Sequence, residues 1–275
     1  WYHRFRERRG FSIRRRTSVG QKLPTGYEGK DLSSEQLKSV AAEVFEELGN
    51  MDQTPVQQEM PVETALEKRG AKDAFIFSID RAMYKERFTL RLAVMADSGK
   101  VPLRIIFKGK PFIPPSFGYP VSGMSFGVQE KSWCDARECT LWLSESWRFR
   151  PNHGNVIKQR HSILVLDDFR CESFIEDLRR RTNTTVILIP GGLTPLLQPL
   201  DRMLNKDMKR LMWGRYTHYM ASAIADPKAG KLQPPGRGLV STWCKESWAA
   251  ITPETVKMCF KVCGLTLALD GSEDD

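Results

Sequence analysis

The chain has no apolar run near the ~20 residues that a membrane-spanning helix requires. It lacks a secretory leader pattern as well: the opening WYHRFRERRG keeps its charge where an apolar core would have to follow. Its first residue is tryptophan rather than methionine, so the sequence is expected to be a piece of a longer one. Internal repeats and low-complexity blocks are absent. Histidine is scarce, with four in 275 residues, and no histidine pair completes a metal set with the six scattered cysteines. The spacings Cys134/Cys139 and Cys259/Cys263 raise structural zinc, yet the second pair lies in KMCFKVCG, a helical apolar pattern that suits small buried thiols better. Free thiols in a reducing compartment are the expectation.

Acid is what the first 24 residues lack. Arg4, Arg6, Arg8, Arg9, Arg14, Arg15, Arg16 and Lys22 face Glu7 alone, so +7 of the chain's net +9 sits there. Interleaved with Trp1, Tyr2, Phe5 and Phe11, these arginines suit a surface that contacts the phosphates of double-stranded DNA. A solvated basic tail or a nuclear import signal is the plainer alternative, and the two readings are compatible. Both point away from secretion and towards the nucleus. The remaining composition, 41% hydrophobic and 27% charged, is enough for one large domain or two modest ones.

After the basic segment, KLPTGYEGKDLSS reads as a linker and SSEQLKSVAAEVFEEL as a short helix with Ser33 or Ser34 as cap. The period then changes. AFIFSI (74–79), RFTLRLAVMA (87–96) and VPLRIIFKG (101–109) are rich in β-branched and aromatic residues, which predicts strands. Asp97-Ser98-Gly99-Lys100 should turn the last two into an antiparallel hairpin, leaving Asp97 as a turn residue. FEELGNMDQTPV is a weaker strand candidate, with Glu46 and Glu47 awkward for a central position. Further on, 136–149 reads as helix, HSILVLDDF (161–169) and TTVILIP (184–190) as buried strands, and CESFIEDLRRRT (171–182) as an amphipathic helix ending in arginines. A long helical pattern runs from Pro199 to about Ile224, and two short helices close the chain, the second opened by Thr252-Pro253-Glu254. An antiparallel meander followed by β-α-β implies an α/β fold: an RNase-H-like mixed sheet with helices on both faces and the two buried strands parallel and adjacent.

Three acids fit that frame. Asp52 ends the first strand in NMDQTP, Asp167 ends the strand SILVLD, and Asp201 stands alone where a helix begins after Pro190-Gly191-Gly192. In α/β sheets ligand sites gather at the carboxyl ends of strands. Hard carboxylate oxygens suit Mg²⁺ or Mn²⁺, and two such ions can act on a phosphodiester. Taken singly, each acid is as well explained as a strand-end or capping residue, and Asp168 beside Asp167 shows how little residue type decides.

The strings GNMDQTP, RFTLRLAVMADSGKVPLRIIFKGK, ILVLDDFR, NTTVILIPGGLTPLLQPLDRMLNKDMK and ALDGSEDD, spread along essentially the whole chain, resemble the DDE-type transposases of the pogo/Tigger group, relatives of mariner elements. The resemblance implies Asp52, Asp167 (rather than Asp168) and Asp201 as catalytic and metal-holding acids, with two Mg²⁺ or Mn²⁺ ions and the family's short second spacing, here 34 residues. The opening segment resembles the end of a centromere-protein-B-type helix-turn-helix, which puts Arg4 to Arg16 on DNA phosphates. Glu172 departs from the family, which often has histidine there.

The implied organisation is 1–24, the end of a DNA-binding unit with a basic linker; 25–46, a linker and short helix; 47–265, the catalytic domain; and 266–275, an acidic tail. The function implied is metal-dependent phosphodiester hydrolysis and strand transfer on double-stranded DNA, with a homodimer in view and neither a membrane nor a small-molecule substrate. The alternative is a domesticated nuclear protein that binds DNA or chromatin without catalysis. Its partner surface would be sought among Trp133, Trp142, Trp147 and Trp243, although core packing is their more ordinary use. A cellular RNase-H-like nuclease is a distant third. Arg170 and Lys206 are candidates to neutralise substrate phosphate, with surface solvation an equal explanation.

Overall fold

The computed structural model describes residues 48–58, 87–110, 122–151, 161–167, 172–225 and 235–266. The basic segment, the linker and helix that follow it, the expected strand 74–79, Asp168, Arg170 and the tail beyond residue 266 lie outside the described residues.

Among the described residues six strands form one sheet: β1 (Leu48–Gln57), β2 (Arg87–Met95), β3 (Leu103–Lys108), β4 (Met124–Gln129), β5 (Ser162–Leu166) and β6 (Thr184–Leu188). Their order is β4-β3-β2-β1-β5-β6. The weaker strand candidate is thus β1, at the centre of the sheet, and it begins at Leu48, after the two awkward glutamates. Neighbours β1, β2 and β3 are antiparallel, while β5 runs parallel to β1 and β6 parallel to β5. The hairpin between β2 and β3 turns at Ser98, whose φ of 86° is left-handed, and Asp97 Oδ1 accepts the Gly99 N–H at 2.8 Å.

Both faces of the sheet are covered. On one side Leu90, Leu92, Val94, Ile105 and Val165 pack on α4 (Asn205–Ala225), α5 (Arg237–Ala250) and α6 (Pro253–Lys261). On the other, Met51, Ala93, Met95, Leu164 and Leu166 meet α1 (Ala136–Glu145) and α2 (Glu172–Thr182) through Trp142, Leu143, Phe174 and Leu178. Burial of both faces is why β5 reads as a continuous apolar run instead of an alternating one. Lys100 ties the hairpin to this shell, its ammonium donating to the carbonyls of Trp248 and Ile251, each at 2.8 Å, at the end of α5. Trp142 and Trp147 are fully buried and stacked, and Trp243 is 8% exposed; of the four tryptophans weighed above only Trp133 stands out in solvent.

Two expectations need correction. β6 is not a fully buried strand: it is the sheet's edge, with one face partly open and Leu188 exposed. β4 was not anticipated, and it lies parallel to β3. Its sequence MSFGVQ hides it, because Gly127 is a poor strand residue. The glycine is there for space: a Cβ at that position would stand 2.1 Å from Glu138 Oε2. That carboxylate in turn receives Arg104 Nη2 at 2.7 Å and Nε at 3.0 Å, inside the protein, with Glu145 on the other guanidinium nitrogen. A buried charge is tolerated only when paired this way.

Cys171 lies outside the described residues, and the other five cysteines gather no metal-binding set among those that are described. Sγ of Cys134 and Cys139 are 3.4 Å apart, but no third ligand of the usual types joins them among the described residues. Cys259 and Cys263 are core thiols at the end of α6, and burial pushes Cys263 up to about 12, so it stays neutral.

Glu138→Ala leaves the Arg104 guanidinium buried without its main partner and should cost about 3–5 kcal/mol of folding stability, read from urea unfolding midpoints. Gly127→Ala should destabilise the same corner, and combining it with Glu138→Ala should cost less than the sum of the two, because the clash is with the Glu138 side chain itself.

Candidate active site

β1 and β5 run side by side in parallel from Leu48↔Ile163 to Asn50↔Val165. Carrying that register two residues further sets Asp52 beside Asp167, which directly follows β5. Asp52 is therefore not at the end of its strand. It is the fifth of ten residues in β1, still paired with Leu92 of β2, and it faces the site because β5 has stopped beside it. Asp201 arrives from the far end of the sequence. After β6 and the short helix α3 (Thr194–Leu197), the chain makes a widened π-type turn over Leu200–Leu204 and continues as α4, with Asp201 at the start of that turn. Asp52 is buried, Asp167 half-buried and Asp201 exposed, so the cluster has a protein floor and an open mouth.

The placement depends on two amides. Asn50 Nδ2 donates to the Val165 carbonyl at 2.9 Å and to Gln198 Oε1 at 3.0 Å, and Asn50 Oδ1 accepts the Leu200 N–H at 3.1 Å. Gln198 Nε2 donates to the Met51 carbonyl at 3.1 Å. Both side chains are fully buried. Pro199 precedes this turn and no side chain of its own segment caps it. Asn50 does so from β1, satisfying a helix-start N–H that would otherwise be orphaned.

Two of the acids act on the third. Burial first, then the charge of Asp201 and that of Asp167, push the Asp52 carboxyl up to about 8 from an ordinary 3.8, against hydrogen bonds from Asn205 and the Gln53 backbone that pull it down. Asn205 lies one helical turn after Asp201, and its Nδ2 donates to Asp52 Oδ2 and, at 2.8 Å, to Asp201 Oδ1. One turn further on, Lys209 is close enough for both carboxylates to raise its pKa, while desolvation, the larger effect, lowers it.

The donor chemistry suits a hard divalent cation. Carboxylate oxygens are its preferred ligands, and a dication reverses the repulsion that keeps a proton on Asp52. Asp52, Asp167 and Asp201 are the residues that would hold it. As they stand, no three His, Cys, Asp or Glu side chains among the described residues gather closely enough to chelate an ion. The Asn205 amide bridges two of the three acids.

Of the three acids named from the sequence, Asp201 and Asp167 both lie near enough to Asp52 to act on its carboxyl by charge. Arg4 to Arg16 lie outside the described residues. Lys206 is exposed on α4, and Glu172 opens α2, where its charge favours the helix start. Sequence reasoning missed Asn50, Gln198, Asn205 and Lys209. The first two were visible as amides in the same short motifs as Asp52 and Asp201, and the others as the positions four and eight residues after Asp201 on one helix face.

Comparison with known proteins agrees with this geometry. Residues 85–260 match the DDE superfamily endonuclease family. The chain belongs to that family. Within it the chain is of the pogo/mariner type: over 281 aligned residues it is 30% identical to the Pogo transposable element with KRAB domain of Mus musculus and to that of Homo sapiens. All of the chain is covered in these alignments, but only 45% of either relative. Among solved structures, the Mos1 strand transfer complex shares the fold with a TM-score of 0.55 at 14% identity, covering 96% of this chain and 66% of that one. A pre-cleavage Mos1 transpososome gives 0.56 at 14% identity, covering 95% and 67%. The six-stranded mixed sheet is accordingly RNase-H-like.

Two measurements test this site. Between pH 3.8 and about 8 the folded chain retains a proton on Asp52 that the unfolded chain has lost, so stability falls as pH rises through that window. Asp52→Asn removes the penalty: without metal it should melt several degrees above the native chain at pH 8, and the gap should close towards pH 4. Gln198→Ala strands the Met51 carbonyl and should cost about 1–3 kcal/mol in urea unfolding while altering no carboxylate.

Proposed function

We propose that this chain is the cutting and joining domain of a pogo-type transposase, acting on double-stranded DNA. The observation that supports the reading is the buried Asp52 carboxyl beside the carboxyl end of β5, which feels the charge of both Asp201 and Asp167 from two other segments. When bound, two Mg²⁺ or Mn²⁺ ions supply the Lewis acidity that activates water and stabilises the leaving oxygen. The Mos1 structures that share the fold include paired-end complexes with Mn and with Mg, which supports this choice of cofactor.

The chain's own residues divide the remaining tasks. Asp52 is the fixed, buried carboxylate, and Asp201 is the exposed one that substrate reaches first. Arg202, Lys206, Lys209 and Arg210 place positive charge on the turn and helix that carry Asp201, where a DNA backbone needs it. In the hydrolytic step a water oxygen bonds to phosphorus as the P–O3′ bond breaks; the water gives up a proton to solvent and the departing 3′-oxygen takes one from it, leaving a 5′-phosphate and a 3′-hydroxyl. In strand transfer that hydroxyl attacks a phosphorus of target DNA and displaces the 3′-oxygen there. The arginines from Arg4 to Arg16 hold DNA by its phosphates, and the basic segment directs the protein to the nucleus. A homodimer supplies one acid site for each element end.

One observation favours the alternative, a domesticated DNA- or chromatin-binding protein without catalysis: the amide between Asp52 and Asp201 closes the acid cluster without an ion. Thermal midpoints with and without Mn²⁺ separate the two readings. On the transposase reading the native chain gains several degrees with Mn²⁺ and nicks an element-end duplex, and Asp167→Asn does neither. If Mn²⁺ shifts neither protein, the binding-only reading replaces it.

A further inference from the structure

We propose that Asn205 is itself a cation ligand, its side-chain oxygen Oδ1 completing the oxygen set of Asp52 and Asp201; the inference rests on the metal-dependent reading above. Asn205 is 5% exposed, and its Nδ2 bonds both carboxylates. Its Oδ1 is buried and finds no hydrogen-bond partner among the described residues. An acceptor left in that condition costs about 1–3 kcal/mol, a cost that an apolar side chain of similar size would avoid. A purely structural link between two acids needs only the NH₂ end of this side chain. The oxygen end is unexplained by the cation-free arrangement.

The two ends of a carboxamide are nearly equal in size, so a half-turn about χ2 exchanges them without disturbing the packing. That rotation puts the carbonyl oxygen where the NH₂ group now stands, against Asp52 and Asp201. Without a cation the NH₂ end is favoured there, because it partners two carboxylates. With a dication between them the preference inverts, since an N–H donor faces the ion unfavourably and a carbonyl oxygen is an ordinary ligand for it. Asn205 is then a two-position element: it holds the acids together when the ion is absent and ligates the ion when it is present.

The test measures Mn²⁺ binding to the full chain by the electron paramagnetic resonance signal of free Mn²⁺, alongside thermal midpoints in EDTA. Native protein, Asn205→Ala and Asn205→Asp are compared. As a ligand, Asn205 replaced by alanine costs about tenfold or more in Mn²⁺ affinity. Asn205→Asp keeps an oxygen and should bind Mn²⁺ at least as tightly as native, although its EDTA midpoint falls because a carboxylate replaces the donor. If Asn205→Asp loses as much affinity as Asn205→Ala, or if neither loses any, the ligand role is overturned while the metal site stands. If the native chain binds no Mn²⁺, the metal reading fails and the inference falls with it.

Discussion

The side-chain amides of Asn50 and Gln198 meet in the buried interior between β1 and the turn that leads into α4. Each amide has a donor end and an acceptor end, and the pair uses them to satisfy backbone groups that secondary structure leaves open: the Val165 and Met51 carbonyls and the Leu200 N–H. Apolar residues here would strand those groups, and charged ones would need partners of their own. Because Asn50 precedes Asp52 by two residues and Gln198 precedes Asp201 by three, fixing the amides fixes the acids. The positions of two of the three carboxylates are set by groups that carry no charge.

The site works against the fold's own stability. Asp52 is held in a place that burial and two like charges make hostile to its ionised form. The surrounding structure tolerates this because the sheet is packed on both faces, with aromatic residues on one side and three helices on the other. The same economy governs the Arg104–Glu138 pair, where a buried charge survives only because its partner is present and Gly127 makes room for it.

Much of this was legible in the sequence. β-branched and aromatic residues marked β2, a continuous apolar run marked β5, the Asp97 turn marked the hairpin, and Thr252-Pro253 marked the start of α6, where the Thr252 hydroxyl does accept the Thr255 N–H. The three acids were singled out because they ended or followed apolar segments and because the surrounding strings resembled a family. Local pattern could not show β4, whose glycine answers to a side chain on another element. Nor could it show that β6 is an edge, since its apolar residues say nothing of how many neighbours they have. The amides escaped for the same reason: what makes Asn50 and Gln198 matter is each other, and they are 148 residues apart.

That separation bears on when the site comes into being. A helix start capped by a residue 150 positions earlier cannot be completed until both segments exist and have met. Contacts so distant in sequence form late, after local hairpins and helices have ordered. On a ribosome, the first acid is exposed long before the third has been synthesised. A chain interrupted after β5 would hold Asp52 and Asp167 but neither Asp201 nor the Gln198 amide that binds β1 to the helix. The acid site thus stays incomplete through most of the chain's synthesis, because its last acid is delivered by the far half of the sequence.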